Sequence, residues 1–118
     1  MILVDTSVWI EHFRAGHDRL KGLLLDEQVV CHPFIVGELA CGTLQKRSEI
    51  LSMLKALPQA ELLEHDEVMR FLDVRRLYGH GIGWVDAHLL ASTLLTGCIL
   101  WTFDKPLRRA AAALNVLT

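Results

Sequence analysis

Four carboxylates stand where acids are costly or conspicuous: Asp5, Glu38, Asp86 and Asp104. Asp5 ends the apolar run Ile2-Leu3-Val4 and is followed by Thr6-Ser7. Glu38 lies four residues after Phe34 and three before Cys41, beside the apolar face of a helical stretch. Asp86 precedes Leu89, Leu90 and Thr93 at helical spacing, which puts it in the first turn of a buried face. Asp104 follows the β-type run from Cys98 to Thr102. Each acid alone has an ordinary structural reading. Asp5 and Asp104 suit helix N-caps, Asp86 suits the favourable end of a helix dipole, and Glu38 suits a semi-exposed flank. Together they demand more, because an ionised carboxylate in an apolar setting costs several kcal/mol when unpaired and converging acids repel one another. Shared protons or a hard divalent cation relieve such a cluster, and an oxygen-only donor set selects Mg²⁺ or Mn²⁺ over zinc. A carboxylate-bound Mg²⁺ that keeps several waters binds phosphate oxygen and acidifies an attacking water, so the chemistry to expect is metal-assisted phosphodiester hydrolysis.

The elements that must position these acids alternate between strand and helix. Ile2-Leu3-Val4 reads as a strand, followed by a helix with Val8, Trp9, Ile10 and Phe13 that ends near Gly16, then a short helix through Leu20, Leu23 and Leu24. Val29-Val30-Cys31 is the next strand, and Pro33 opens a helix in which Phe34, Ile35, Leu39 and Ala40 recur. A helix through Ile50, Leu51 and Leu54 stops before Pro58. Glu61-Leu62-Leu63 reads as a third strand, Asp66 to about Tyr78 as a helix, and Gly79, Gly81 and Gly83 as a loop. Val85 to Leu95 is helical, Cys98 to Thr102 strand-like, Asp104 to Leu114 helical, and Val116-Leu117 closes as a last strand drawn from the few residues Asn115 to Thr118. Such alternation predicts an α/β, three-layer α/β/α fold with a central parallel sheet of four to five short strands, its ligands collecting at the carboxyl ends of those strands. Asp5 and Asp104 fall on that edge.

A chain of 118 residues suits a single domain, residues 1–118. With 52% hydrophobic and 22% charged residues and only three prolines, disordered and low-complexity classes are excluded. No apolar run approaches the roughly 18 to 20 residues that span a bilayer, and the N-terminus carries no basic leader, so a cytoplasmic protein is expected. Cys31, Cys41 and Cys98 form no CxxC pair and sit among apolar neighbours, as reduced, buried thiols do. His12 and His17 have ligand-like spacing but no cysteine pair to match, and His32, His65, His80 and His88 are scattered, so no zinc set is present. The formal charge of −2 does not advertise a broad grip on nucleic acid. Removing the four conspicuous acids from the 14 leaves 10 against 12 basic residues, a remainder of +2. Lys46-Arg47, Arg75-Arg76 and Lys105 with Arg108-Arg109 are candidates to hold flanking phosphates, although solvated helix faces account for each as well. Arg108-Arg109, one helical turn beyond Asp104, is the best placed. Trp9, Trp84 and Trp101 read as core or interface rather than as base-stacking platforms.

The segments Val4-Asp5-Thr6-Ser7-Val8-Trp9-Ile10, Gly37-Glu38-Leu39, Gly81-Ile82-Gly83-Trp84-Val85-Asp86-Ala87-His88-Leu89-Leu90-Ala91 and Leu100-Trp101-Thr102-Phe103-Asp104 resemble the PIN-domain ribonucleases, above all the VapC toxins of bacterial type II toxin–antitoxin pairs. The likeness spans essentially the whole chain in the correct order. It implies metal ligation by Asp5, Asp86 and Asp104, with Glu38 as a fourth acid acting through water or at a second metal position. It further implies Thr6 or Ser7 orienting Asp5, and Thr102 as the small polar residue two before the last acid. The same resemblance implies a Mg²⁺- or Mn²⁺-dependent endoribonuclease, transfer RNA as the first substrate to consider, a small VapB-type antitoxin as partner, and a homodimer built on apolar helices, without a membrane.

Rival readings fit less well. A phospho-acceptor receiver module shares the length, the doubly wound sheet and a Lys-Pro like Lys105-Pro106, yet receivers place paired acids after the first strand, and Thr6 follows Asp5 here. No acceptor aspartate stands after Glu61-Leu62-Leu63. Ser7 breaks a DxD phosphatase motif, and the glycines at 79, 81 and 83 follow a helix rather than a strand, unlike a dinucleotide fingerprint. A catalytically silent PIN scaffold would not need all four acids.

Overall fold

The computed structural model describes all 118 residues. Three short apolar segments, Ile2–Val4 (β1), Val29–Val30 (β2) and Ile99–Trp101 (β3), pair as a parallel sheet in the order β2-β1-β3. Ile2 faces Val29 and Ile99, Leu3 faces Val30 and Leu100, and Val4 faces Trp101. All of β1 is buried, as expected of a parallel strand covered on both faces, where the sequence reads as a continuous apolar run.

Seven helices complete the chain: Thr6–Ala15 (α1), Asp18–Leu25 (α2), Pro33–Ala40 (α3), Arg47–Ala56 (α4), His65–Val74 (α5), Trp84–Thr96 (α6) and Lys105–Ala113 (α7). Proline in the first turn opens α3 and α7, where its missing N–H has no partner to lose. Gly97 ends α6 at φ 74, a left-handed conformation that a side chain would resist, and its N–H returns to the carbonyls of Thr93 and Leu94. No helix is long and apolar enough to cross a membrane.

The chain leaves β1 toward one side of the sheet and returns from β2 past β1 to β3 on the other. Right-handed crossovers in those opposite directions send the helices to opposite faces. Helices of the two crossovers nonetheless touch, α1 packing on α3, while within the second crossover α3 packs on α4 and α5 on α6. The order therefore reverses between β1 and β3, and at their carboxyl ends stand Asp5 and the segment Thr102–Asp104. This is the crevice where open α/β sheets place ligands.

Several expectations need correction. The sheet has three strands, not four to five. Glu61-Leu62-Leu63 is not a strand: Gln59 makes one parallel bridge to Cys31 through Cys31 N–H to Pro58 C=O and Ala60 N–H to Cys31 C=O. Then Thr96 Oγ1 captures the N–H of Glu61 at 2.8 Å and draws the chain off the sheet. Val116-Leu117 likewise gives a single bridge, Leu100 to Leu117, made by bonds at Val116 and Thr118, because Asn115 at φ 59 turns the chain out of α7 just before it. The helix α5 stops at Val74 rather than near Tyr78, since Arg76 enters the left-handed region at φ 53 and Leu77 N–H closes back on Leu72 C=O. Cys31 and Cys98 are buried free thiols, whereas Cys41 is exposed at the end of α3.

Candidate active site at the sheet edge

Asp5 is only 6% exposed and stands at the start of α1, but its side chain does not cap that helix. Its Oδ2 accepts from Ser7 Oγ at 2.8 Å and from Thr102 Oγ1 at 2.7 Å. Each hydroxyl in turn accepts a backbone N–H of the loop after β3, Phe103 to Ser7 Oγ and Asp104 to Thr102 Oγ1, both at 3.0 Å. A hydroxyl has one proton to give, and both give it to Asp5. The network therefore ties the end of β1 to the end of β3 and holds one carboxylate oxygen of Asp5 with two charge-assisted bonds.

The other acids follow the same pattern. Asp104 Oδ2 accepts Leu107 N–H at 3.1 Å, so the capping reading holds for this residue. Asp86, in the first turn of α6, accepts Gly83 N–H on Oδ2 at 3.1 Å. Glu38, exposed on α3, accepts Thr6 Oγ1 on Oε1 at 3.0 Å. In each case one oxygen is held and the second takes no hydrogen bond from the protein. Only Trp9 Nε1 and His17 Nδ1 are buried side-chain polar atoms without partners, so the free oxygens of Asp5 and Asp86 open to solvent.

Three of the four lie close enough to act on one another electrostatically. Burial pushes the Asp86 carboxyl above its ordinary range, the Gly83 hydrogen bond opposes that, and the negative charges of Asp5 and Asp104 raise it further. None of the four acids is in an ion pair, the one in the molecule being Arg14–Glu11 at 2.7 Å. Glu38 joins the group through Thr6, the residue next to Asp5, rather than through the field at Asp86.

The donor chemistry suits a hard cation: oxygen ligands, uncompensated negative charge, and one accessible oxygen per acid. No group of three His, Cys, Asp or Glu side chains is gathered closely enough to hold a metal ion unaided, so the fit to a hard cation rests on the oxygen-only donor set alone.

Among the supporting residues expected from sequence, Ser7 and Thr102 hold Asp5, whereas Thr6 holds Glu38 instead. Arg108 and Arg109 part company. Arg108 Nη1 donates to the Thr102 carbonyl at 3.1 Å, while Arg109 points to an exposed cavity with Arg75 and Arg76. Arg47 lies exposed near Gly42 C=O at 3.5 Å, and neither it nor Lys46 lines that cavity. Trp9 and Trp101 are buried, and Trp84 is 38% exposed. Sequence reasoning missed His32, which is buried, caps α3 by accepting Phe34 N–H on Nδ1 at 3.0 Å, and meets Ser92 Oγ of α6 at 3.1 Å. Its place directly before Pro33, at an N-cap position, was the available signal.

Comparison with known proteins adds family context to this geometry. A family model described as PIN domain matches residues 2–113. The chain is 50% identical over 117 residues to Ribonuclease VapC32 from two strains of Mycobacterium tuberculosis, an alignment that covers 98% of this chain and 94% of that protein.

Proposed function

The chain belongs to the PIN-domain family, and from that premise we propose that it is a VapC-type endoribonuclease, the toxin component of a type II toxin–antitoxin pair. In this reading it is a single cytoplasmic domain that forms a homodimer, is restrained by a VapB-type antitoxin, and hydrolyses RNA with Mg²⁺ or Mn²⁺. Transfer RNA is the first substrate to test. The observation that carries the reading is the trio Asp5, Asp86 and Asp104: uncompensated acids at the sheet's switch point, each with one oxygen anchored and one free.

Asp5, Asp86 and Asp104 would hold the ion, with Glu38 as the fourth acid. When bound, such an ion supplies an acidified water and offsets charge on the phosphate. Ser7 and Thr102 immobilise Asp5 so that its free oxygen is presented in one direction, and Thr6 does the same for Glu38. Asp104 is fixed by the backbone of α7 and Asp86 by the turn before α6. In the overall reaction the water oxygen joins phosphorus and the bond to the 3′ oxygen breaks. A 2′-hydroxyl is not consumed, so preference for RNA arises in binding.

The test is incubation of antitoxin-free protein with total RNA and purified transfer RNA, with Mg²⁺, Mn²⁺ or chelator, beside Asp5→Asn and Asp86→Asn variants. Cleavage that needs the ion and falls more than about 100-fold in both variants is expected. Wild type that cuts no RNA, or variants that cut as well as wild type, would overturn the assignment.

A further inference from the structure

Beside the acids lies a region of opposite charge. A cavity of about 260 Å³ opens between the turn after α5 and the outer face of α7, lined by Arg75, Arg76, His80 and Arg109 over a floor that includes Leu77 and Ala110. No acid lines it, and none of its arginines is in an ion pair. Like charges gathered without counter-charge repel one another, and a fold that keeps them together gains from an anion placed among them. Arg76 reaches the cavity from the left-handed region, φ 53, at the position after a helix end where glycine is least strained. Glu27, Lys46 and Asn115 share that conformation, so the strain by itself marks only a chain reversal. What distinguishes Arg76 is its company.

The cavity also has a fixed place relative to the acids. On the α7 side the lining runs through Pro106, Arg109, Ala110 and Ala113, and Arg109 stands five residues beyond Asp104, about 7.5 Å along the helix axis and about 140° around it. The other wall runs on through Gly81 to Asp86. A Cβ at Gly81 would come within 3.5 Å of Pro106, so that loop lies against the first turn of α7. The two segments that carry Asp86 and Asp104 are the two that build the basic cavity. Guanidinium groups match phosphate oxygens two at a time, and a polynucleotide supplies phosphates at regular intervals on either side of the one being cut. Arg108, turned inward to the Thr102 carbonyl, is not part of this wall.

We propose that Arg75, Arg76 and Arg109, with His80, form a phosphate subsite that holds the RNA backbone next to the scissile phosphodiester. This rests on the nuclease reading for its substrate, but it is tested by binding without turnover. A fluorescent RNA is titrated in chelator over a range of salt concentrations with wild type, with Arg75→Gln/Arg76→Gln/Arg109→Gln, and with Lys21→Gln/Lys55→Gln/Arg70→Gln, which loses the same charge from exposed sites elsewhere. The expected result is that the arginine variant loses about 1.5 to 3 units from the slope of log affinity against log salt, at about 0.7 to 0.9 for each phosphate left without its cation, while the control keeps it. In cleavage assays KM rises about tenfold or more and kcat stays within about twofold. A variant with lysine at the three positions keeps most of the slope and guards against misfolding as the explanation.

An unchanged slope in the glutamine variant overturns the subsite, even where wild type cleaves. The same holds if that variant loses binding to polyglutamate but not to RNA, which would make the cavity a site for an acidic protein. Wild type that binds RNA with the expected slope yet cleaves nothing leaves the subsite standing and sinks the nuclease reading.

Discussion

The junction between α3 and α6 and the edge that carries the acids treat their polar atoms in opposite ways. At the junction, His32 accepts Phe34 N–H on Nδ1, so the proton sits on Nε2 and is donated to Ser92. Burial, and then the neighbouring His88, push its pKa down to about 4, and the ring is neutral near pH 7. Rings close around it, with Phe34 and Trp84 both edge-on to His88 at 4.7 and 4.6 Å between centroids. Both ring nitrogens of His32 are thus used within the protein. At the edge, by contrast, the carboxylates keep uncompensated charge and give the protein only half of their oxygens. A polar group whose bonding ends inside the fold is a fastening, whereas one that is half held and half open is arranged for something that arrives from outside.

The largest effect expected from this contrast is on stability in acid. Between pH 6.5 and about 4 the unfolded chain binds a proton at His32 that the folded chain refuses. The contribution is therefore complete above pH 6.5 and lost as pH falls toward 4, by about 3 kcal/mol at the limit. Asparagine also caps helices but does not titrate, so the stability difference between wild type and His32→Asn should shift against wild type by that amount as the solution is acidified. Parallel pH profiles would break the comparison, because His32 would then not be a neutral fastening.

Next in size is Thr102→Val, which removes one of the two donors to Asp5 at nearly constant shape. A loss of about 10- to 100-fold in Mn²⁺ affinity, read by calorimetry, and in cleavage is expected, with the KM for RNA little changed. Unaltered Mn²⁺ affinity would mean that anchoring one oxygen of Asp5 does not orient the other. The smallest effect belongs to Thr6→Val, which frees an exposed Glu38 from a single hydrogen bond and should lower cleavage about threefold. A loss equal to that of Thr102→Val would place Glu38 on the same footing as the three aspartates.

Much of this was legible in the chain. The alternation of short apolar runs with helical stripes gave the α/β class, and the acids stood out because their neighbours are apolar. The sheet was over-read because Leu62 and Leu63 look like strand residues, whereas Leu62 is 58% exposed and the backbone beside it bonds to a side chain of α6. A two- or three-residue apolar run carries no record of whether a partner strand lies alongside. Neighbouring residues on a helix raise a related problem, since they diverge by about 100° around its axis. Thr6 and Ser7 both looked fit to hold Asp5, and only the packing of α3 and β3 sent one to Glu38 and the other to Asp5. Arg108 and Arg109 diverge for the same reason, one toward the carbonyl of Thr102 and the other into the basic cavity.

By itself the sequence determined which residue types are available, their order, and the ends of elements at which they fall, because hydrophobic periodicity and capping act over a few residues and are written locally. Only the tertiary structure decided which oxygen of each acid is anchored, that three acids share one field, and that three arginines from two distant segments form one cavity. Those facts depend on the reversal of strand order between β1 and β3 and on the angles at which helices pack, which bring together groups separated by nearly the whole chain, as Thr102 and Asp5 are.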